Sequence, residues 1–422
     1  MKLRVKNTLL IGVAFLSITV LWQAYNWLVP MYLDGYLRGV FGGNEFLIGL
    51  VMGADNLFAV FMIPWIGKIS DRQKRETGSR MKLIVGGLVF AGISFLILPF
   101  TKDNIFLMIL TLFAVLTAMN VYRAPAVSLM PDITPKPLRS KANALINIMG
   151  GIGTGIGYIL LLVGGVLGVE SGFIVIGVVA VMFVCLAVLM TKVDEKQFAI
   201  DLAADLEEYR KNGIDTEGQD EMLNCGGSVQ KKNLILVLLA VFFYFMATNS
   251  VETFMSLYSG QVLNDTNAGL ILFGVLALGS FVFLYPSAVF ADKYGFRNAM
   301  LLGACLMAGA NVFIAFFTCY SHLLIPAFFI CGAGMAFMIS NMYPLVVGFC
   351  DRDNFAKYTG YYYAATMTAQ AVTPVFAGLL FSNWVFGTMK VLMPYSAVFM
   401  VFSAATLFMV KPQQKNGQTA VF

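Results

Sequence analysis

Two carboxylates offer the plainest chemistry in this sequence. Asp55 sits beside Asn56 in the apolar run 45–67, and Glu252 sits in the run 233–258 with Asn249 three residues before it. An ionised acid in hydrocarbon is expensive, so such a residue is expected to work, by exchanging a proton or by holding a cation. Arg123, within 104–129, is the one further charge lying deep in an apolar run. Burial favours the protonated form of a carboxylate, and a neighbouring guanidinium favours the ionised form. Arg123 could therefore promote proton release, or it could pair with Asp132 or a backbone carbonyl. Amides and rings surround these charges in the sequence: Trp22, Gln23, Tyr25 and Asn26; then Asn56, Tyr122, Asn143, Asn147, Asn249, Asn341, Tyr361, Tyr362, Tyr363 and Gln370. Amides suit hydroxyl groups and aromatic faces suit C–H surfaces. The plainer role of each is a hydrogen bond to a neighbouring helix, or packing.

A second group of charges marks segment ends. Gly67–Arg75 reads as a charged turn of pattern Gly-x-x-x-Asp71-Arg72-x-x-Arg75, echoed 221 residues later by Asp292-Lys293-Tyr-Gly-Phe-Arg297. Pro125 and Asp132 recur as Pro344 and Asp351 at a displacement of 219, and Gly49 recurs as Gly269 at 220. Agreement of these displacements points to a duplicated unit.

Composition sets the elements that must carry these residues. The chain of 422 residues is 59% hydrophobic and 12% charged, with mean hydropathy +0.79. A soluble protein is nearer one quarter charged. A helix needs about 20 apolar residues to cross a bilayer. On that criterion there are twelve spans: 8–30, 45–67, 82–100, 104–129, 140–167, 172–190, 233–258, 268–290, 298–318, 322–348, 358–382 and 390–410. The alternating short segments of a membrane β-barrel are absent. Lys2, Arg4 and Lys6 before the first run resemble a signal peptide, but the run is long and no cleavage site follows, so it reads as the first span. With both termini in the cytoplasm, 24 of the 28 basic residues fall on the inner side, and Arg38, Lys102 and Lys390 fall outside. The net charge of +5 thus reports topology and not nucleic-acid binding.

The expected organisation is an N-terminal six-helix bundle over 1–190, a cytoplasmic linker over 191–232, and a C-terminal six-helix bundle over 233–422. Asp194–Lys211 can form an amphipathic helix, while Asn212–Ser228 reads as a flexible tether. The run Gly150–Gly157 (GGIGTGIG) lies inside an apolar span and is expected to pack helices closely, not to cradle phosphate. No GxxxxGK[ST] loop is present. Six Cys without CxxC spacing and a single His, His322, give no metal cluster. No nucleophile–base pair is evident, so neither an enzyme nor a cofactor is expected.

The segment Val121–Ile146, with Arg123-Ala-Pro125, Leu-Met-Pro-Asp132, Thr-Pro-Lys-Pro and Arg139-Ser-Lys-Ala-Asn143, resembles the span-four-to-five region of a sugar-carrier branch of the major facilitator superfamily. That branch holds the sucrose and disaccharide proton symporters and lies near the glycoside–pentoside–hexuronide symporters. Asp55-Asn56 and Gly67–Arg75 fit the same group. The resemblance implies a fold of twelve transmembrane helices in two pseudo-symmetric bundles. It also implies a monomeric symporter of the cell membrane, coupled to protons or to sodium. It implies gating by Asp71 and Arg72, with Asp71 near the N-terminus of span eleven, and by the related charges Asp132, Arg139, Asp292, Lys293 and Asp351. An organic cation or drug carrier is the alternative that two buried acids would also suit. A membrane receptor that kept the fold is a remoter one.

Overall fold

The structure is a computed structural model, and it describes residues 3–41, 44–135, 138–211, 228–349, 355–410, 414–415 and 418–419. Among these residues, twelve helices are long and apolar enough to cross a membrane. The chain clusters into two compact units. Unit 1 comprises Met1–Tyr32 with Phe58–Gln219, and unit 2 comprises Leu33–Leu57 with Asp220–Phe422. Helices α1 (Val5–Phe41) and α2 (Glu45–Thr77) therefore each contribute to both.

Unit 1 continues with α3 (Met81–Ile97), α4 (Ile105–Ile133), α5 (Arg139–Val166), α6 (Ser171–Lys192) and α7 (Glu195–Lys211). Helix α3 packs against α4 and α6. Small residues permit the approach: a Cβ on Gly87 would lie 2.8 Å from Tyr122 Cβ. The glycine-rich run of α5 lies against α1, as the sequence suggests. A side chain on Gly153 would strike Thr19 and the Leu16 backbone, and Thr19 Oγ1 donates to Gly150 O at 2.8 Å. Lipid tails give helices no hydrophobic reason to associate, so close backbone contact and polar bonds of this kind hold them together.

Unit 2 contains α8 (Ser228–Gln261), α9 (Thr266–Tyr294), α10 (Phe296–Ile314), α11 (Leu324–Val347), α12 (Phe355–Phe381) and α13 (Leu392–Met409). Helix α11 is gripped from both sides. Gly332 leaves no room for a Cβ against Leu276 of α9, and Gly303 of α10 and Gly334 of α11 sit reciprocally against each other's carbonyl oxygen. Ser403 Oγ donates to Ala240 O at 2.9 Å and Asn311 Nδ2 to Ser396 Oγ at 3.0 Å, tying α13 to α8 and α10. A two-residue antiparallel ladder pairs Gln414–Lys415 with Gln418–Thr419.

The run Gly67–Arg75 is not a turn. Helix α2 continues to Thr77, and the chain reverses at Gly78, whose φ of +75° suits glycine. Lys74 is simply helical. The tether expected over Asn212–Ser228 falls on residues 212–227, outside the described residues, while Ser228 already opens α8.

Candidate functional site

The acid of α2 is positioned by the helix's two faces. Leu57, Phe61 and Trp65 are 56%, 70% and 58% exposed and form a stripe suited to hydrocarbon. Asp55 is only 3% exposed and lies about 200° round the helix from Leu57. It does not face lipid, and it is engaged with a partner. On the same α2 segment, Gly49 and Gly53 abut the backbone of α12 at Pro374 and Ala371. Asn56 Nδ2 donates weakly to Gln370 O at 3.4 Å, so two expected site residues do meet.

Glu252 is placed differently. From Val251 to Ser259 it alone is exposed, while its neighbours along α8 are buried. With Asn249 three residues earlier, and with Thr248 and Phe245 also partly open, it lies on the accessible face of this stretch of α8. Asn249 Oδ1 is enclosed and has no hydrogen-bond partner in the protein. Asp55 lies about 15 Å along α2 from Glu45, and Glu252 about 14 Å along α8 from Gln261. The two acids thus stand at similar distances from the ends of their helices, although the duplication pairs α2 with α9 and not with α8.

The remaining candidates divide into open and enclosed. On α1, Trp22 stacks on Tyr25 with ring centroids 5.6 Å apart, and Trp22 and Asn26 are partly accessible, whereas Gln23 and Tyr25 are buried. Tyr122 is enclosed against α3, and its neighbour Arg123 is partly accessible and engaged. Asn143 and Asn147 are exposed one turn apart on α5. Asn341 is 2% exposed and spends its amide on Phe337 O at 2.8 Å and Ser340 Oγ at 3.1 Å within α11. Tyr362 joins a group of rings with Tyr343 at 5.4 Å and Tyr363 at 5.5 Å, and Tyr361 is exposed beside Tyr358.

The charged end of unit 1 is organised by a residue that the sequence reading missed. Arg80, with its side chain 7% exposed, sits just before α3 and reaches three partners: Asp71 Oδ1, Asp132 Oδ2 and Ser70 Oγ, each at 2.7 Å. Lys74 Nζ also meets Asp132 at 2.7 Å. Burial pulls the Arg80 pKa down, but hydrogen bonds and charge from Asp132 and Asp71 outweigh it, and the guanidinium is held above its ordinary value. Arg72, by contrast, makes an exposed pair with Glu76 at 2.8 Å. Arg139 donates to Pro131 O and Thr134 O, which ties α5 to the end of α4.

Unit 2 carries the counterpart. Gly295, with φ +89°, precedes Arg297 as Gly78 precedes Arg80, at a displacement of 217. Arg297 donates to Leu407 O and Phe408 O at 2.9 and 2.8 Å, closing the end of α13. Asp292 and Lys293 are exposed, with Lys293 Nζ 5.1 Å from the Tyr294 ring. Asp351 lies outside the described residues. The signal for Arg80 was present in the repeat. Aligning Gly78 with Gly295 exposes a four-residue excess between Asp71 and its arginine.

Comparison with known proteins bears on the fold. The structure matches that of a D-xylose–proton symporter with TM-score 0.71 at 14% identity, covering 98% of this chain and 99% of that one. It matches the xylose transporter XylE from E. coli in an inward-open conformation with TM-score 0.70 at 13% identity, covering 97% of each. The nucleoside transporter NupG matches with TM-score 0.66 at 14% identity, covering 97% of this chain and all of that one. At such identities the likeness is one of fold. No curated protein matches the sequence. The profile of the Major Facilitator Superfamily matches residues 9–278 and 237–421. With that profile over nearly its whole length, and twelve membrane-spanning helices to carry it, the chain is a member of the Major Facilitator Superfamily.

Proposed function

We propose that this chain is a proton-coupled sugar symporter of the sucrose and disaccharide branch, near the glycoside–pentoside–hexuronide symporters. In this reading it is a monomer of the cell membrane with both termini in the cytoplasm, its bundles at 1–190 and 233–422 joined by 191–232. The observation that carries the proposal is the pair Asp55 and Glu252. They are carboxylates at similar distances from the ends of their helices, in spans otherwise nearly free of charge, one enclosed and one accessible. Within unit 2, the accessible Asn249, Tyr362 and Gln370 offer hydrogen bonds and C–H surfaces of the kind a sugar needs, and Trp22, Asn26 and Asn147 offer the same chemistry in unit 1.

The mechanism follows from the energetics of burial. A proton arriving from outside neutralises Asp55 or Glu252 and lowers the penalty of enclosing it. Sugar binding then permits closure. When the site opens inward the acid is rehydrated, and the proton leaves. Arg123 favours that release if it draws near the acid. Arg80, Asp71 and Asp132 form the gate at the cytoplasmic end, with the exposed Asp292 and Lys293 as the reduced copy in the other half.

Uptake of labelled sucrose and maltose into proteoliposomes tests this, with a pH gradient in one arm and a sodium gradient in another. Accumulation driven by the pH gradient supports the proposal. The accessible Glu252 would equally suit an organic cation, so a labelled amine is the competing substrate in counterflow. Exchange of amine and not of sugar establishes that second reading. Absence of any uptake, exchange or proton movement contradicts both.

A further inference from the structure

The linker helix α7 makes a contact whose placement exceeds that of a tether. Its positions Glu195, Phe198, Leu202, Leu206 and Tyr209 are buried or half-buried at helical spacing, so it docks by one face. Asp194 Oδ1 caps its start by accepting from Lys196 N and Gln197 N. Further along, Asp201 and Asp205 hold Arg4 at 2.6 and 2.8 Å. At its N-terminal end, the Glu195 carboxylate accepts from the amide of Arg80 with both oxygens at 2.9 Å, and from Ser79 Oγ at 2.7 Å. Ser79 Oγ in turn accepts from Met81 N at 3.0 Å. A carboxylate at a helix N-terminus satisfies orphan amides and meets the positive end of the dipole. The amide it holds belongs to Arg80, whose side chain clasps Asp71, Asp132 and Ser70.

We propose that Glu195 is a positioning residue for the gate. By fixing the backbone of Arg80 it sets the reach of the guanidinium toward Asp71 and Asp132, and it makes the linker helix part of the gating assembly. The inference rests on the gating role given above to the Arg80 cluster. It assigns to the linker a second task besides joining the halves, and it explains why an acid opens α7 where a bare tether needs none.

The test uses the full chain in lipid nanodiscs, with the six native cysteines replaced by serine and spin labels on Lys141→Cys and Asn298→Cys, and reads the distance distribution between the labels. Arg80→Ala, Glu195→Ala, Glu195→Gln and the double variant Asp201→Asn/Asp205→Asn are compared with the parent. We expect Arg80→Ala to reduce the main population at least twofold, and Glu195→Ala to change it in the same direction by at least half as much. Glu195→Gln, whose amide oxygen still accepts from Arg80 N, is expected to lie near the parent. The double variant, which loosens α7 from Arg4, is expected to leave the distribution unchanged. A lowered melting temperature for Glu195→Ala with an unchanged distribution means that Glu195 only caps α3, and overturns the proposal. An equal shift in the double variant assigns the effect to docking of α7 at large and also overturns it. If Arg80→Ala itself changes nothing, the gating role of the cluster fails, and this inference fails with it.

Discussion

Truncating Arg80 would leave Asp132 to Lys74 and return the more exposed Asp71 to solvent, with a space where the enclosed guanidinium stood. Removing one partner of a largely enclosed charge cluster is far more damaging than removing an exposed pair. Arg80→Ala is therefore expected to destabilise the protein by about 2 kcal/mol, the order of a hydrogen bond to a charged group, seen as a lowered melting temperature in detergent. Arg72→Ala should leave the melting curve unchanged, since its pair with Glu76 is exposed. The pH dependence has a definite sign. Because the folded value of Arg80 is raised, its contribution is complete below the ordinary arginine value and is lost only as pH climbs past the folded one. Melting should hence be flat from about pH 6 to 9 as far as Arg80 is concerned. At this scale the sequence was legible where a charge broke an apolar run, as at Asp55, Glu252 and Arg123. Arg80 and Glu195 lie among many polar residues at segment ends, and only the folded chain shows which of them meet.

The helices were legible from length and hydropathy, because the bilayer imposes a span of about 20 residues on each. Where a helix stops was not. Charge in Gly67–Arg75 read as a turn, yet a lysine-rich and arginine-rich stretch forms helix readily once outside the hydrocarbon, and glycine at position 78 ends it. The four extra residues relative to the second half amount to about one turn of helix, which carries Asp71 roughly 6 Å further from the reversal than Asp292. That added turn leaves Asp71 near Arg80, while Arg297 serves the end of α13. Packing between helices turns on small residues whose importance hydropathy does not reveal. Gly153→Val would drive a branched side chain into Thr19 and the backbone of α1, and overpacking of this sort costs about 1–3 kcal/mol. Gly151→Ala, two residues away with open space around it, should be tolerated. Thermal melts of both variants, followed by fluorescence-detected size exclusion, check the contrast.

For the molecule as a whole, duplication was read in displacements of 219 to 221, and family membership follows from the profile and the fold. Substrate and coupling ion are a different matter, because the same helices carry xylose in one relative and nucleosides in another. The weight therefore falls on the two intramembrane acids. In proteoliposomes carrying a pH-sensitive dye, addition of sucrose or maltose to the wild-type chain should move protons inward together with the sugar. Asp55→Asn or Glu252→Gln should abolish that proton movement while sugar exchange continues. Full proton-driven accumulation in both variants would contradict the assignment of coupling to these carboxylates.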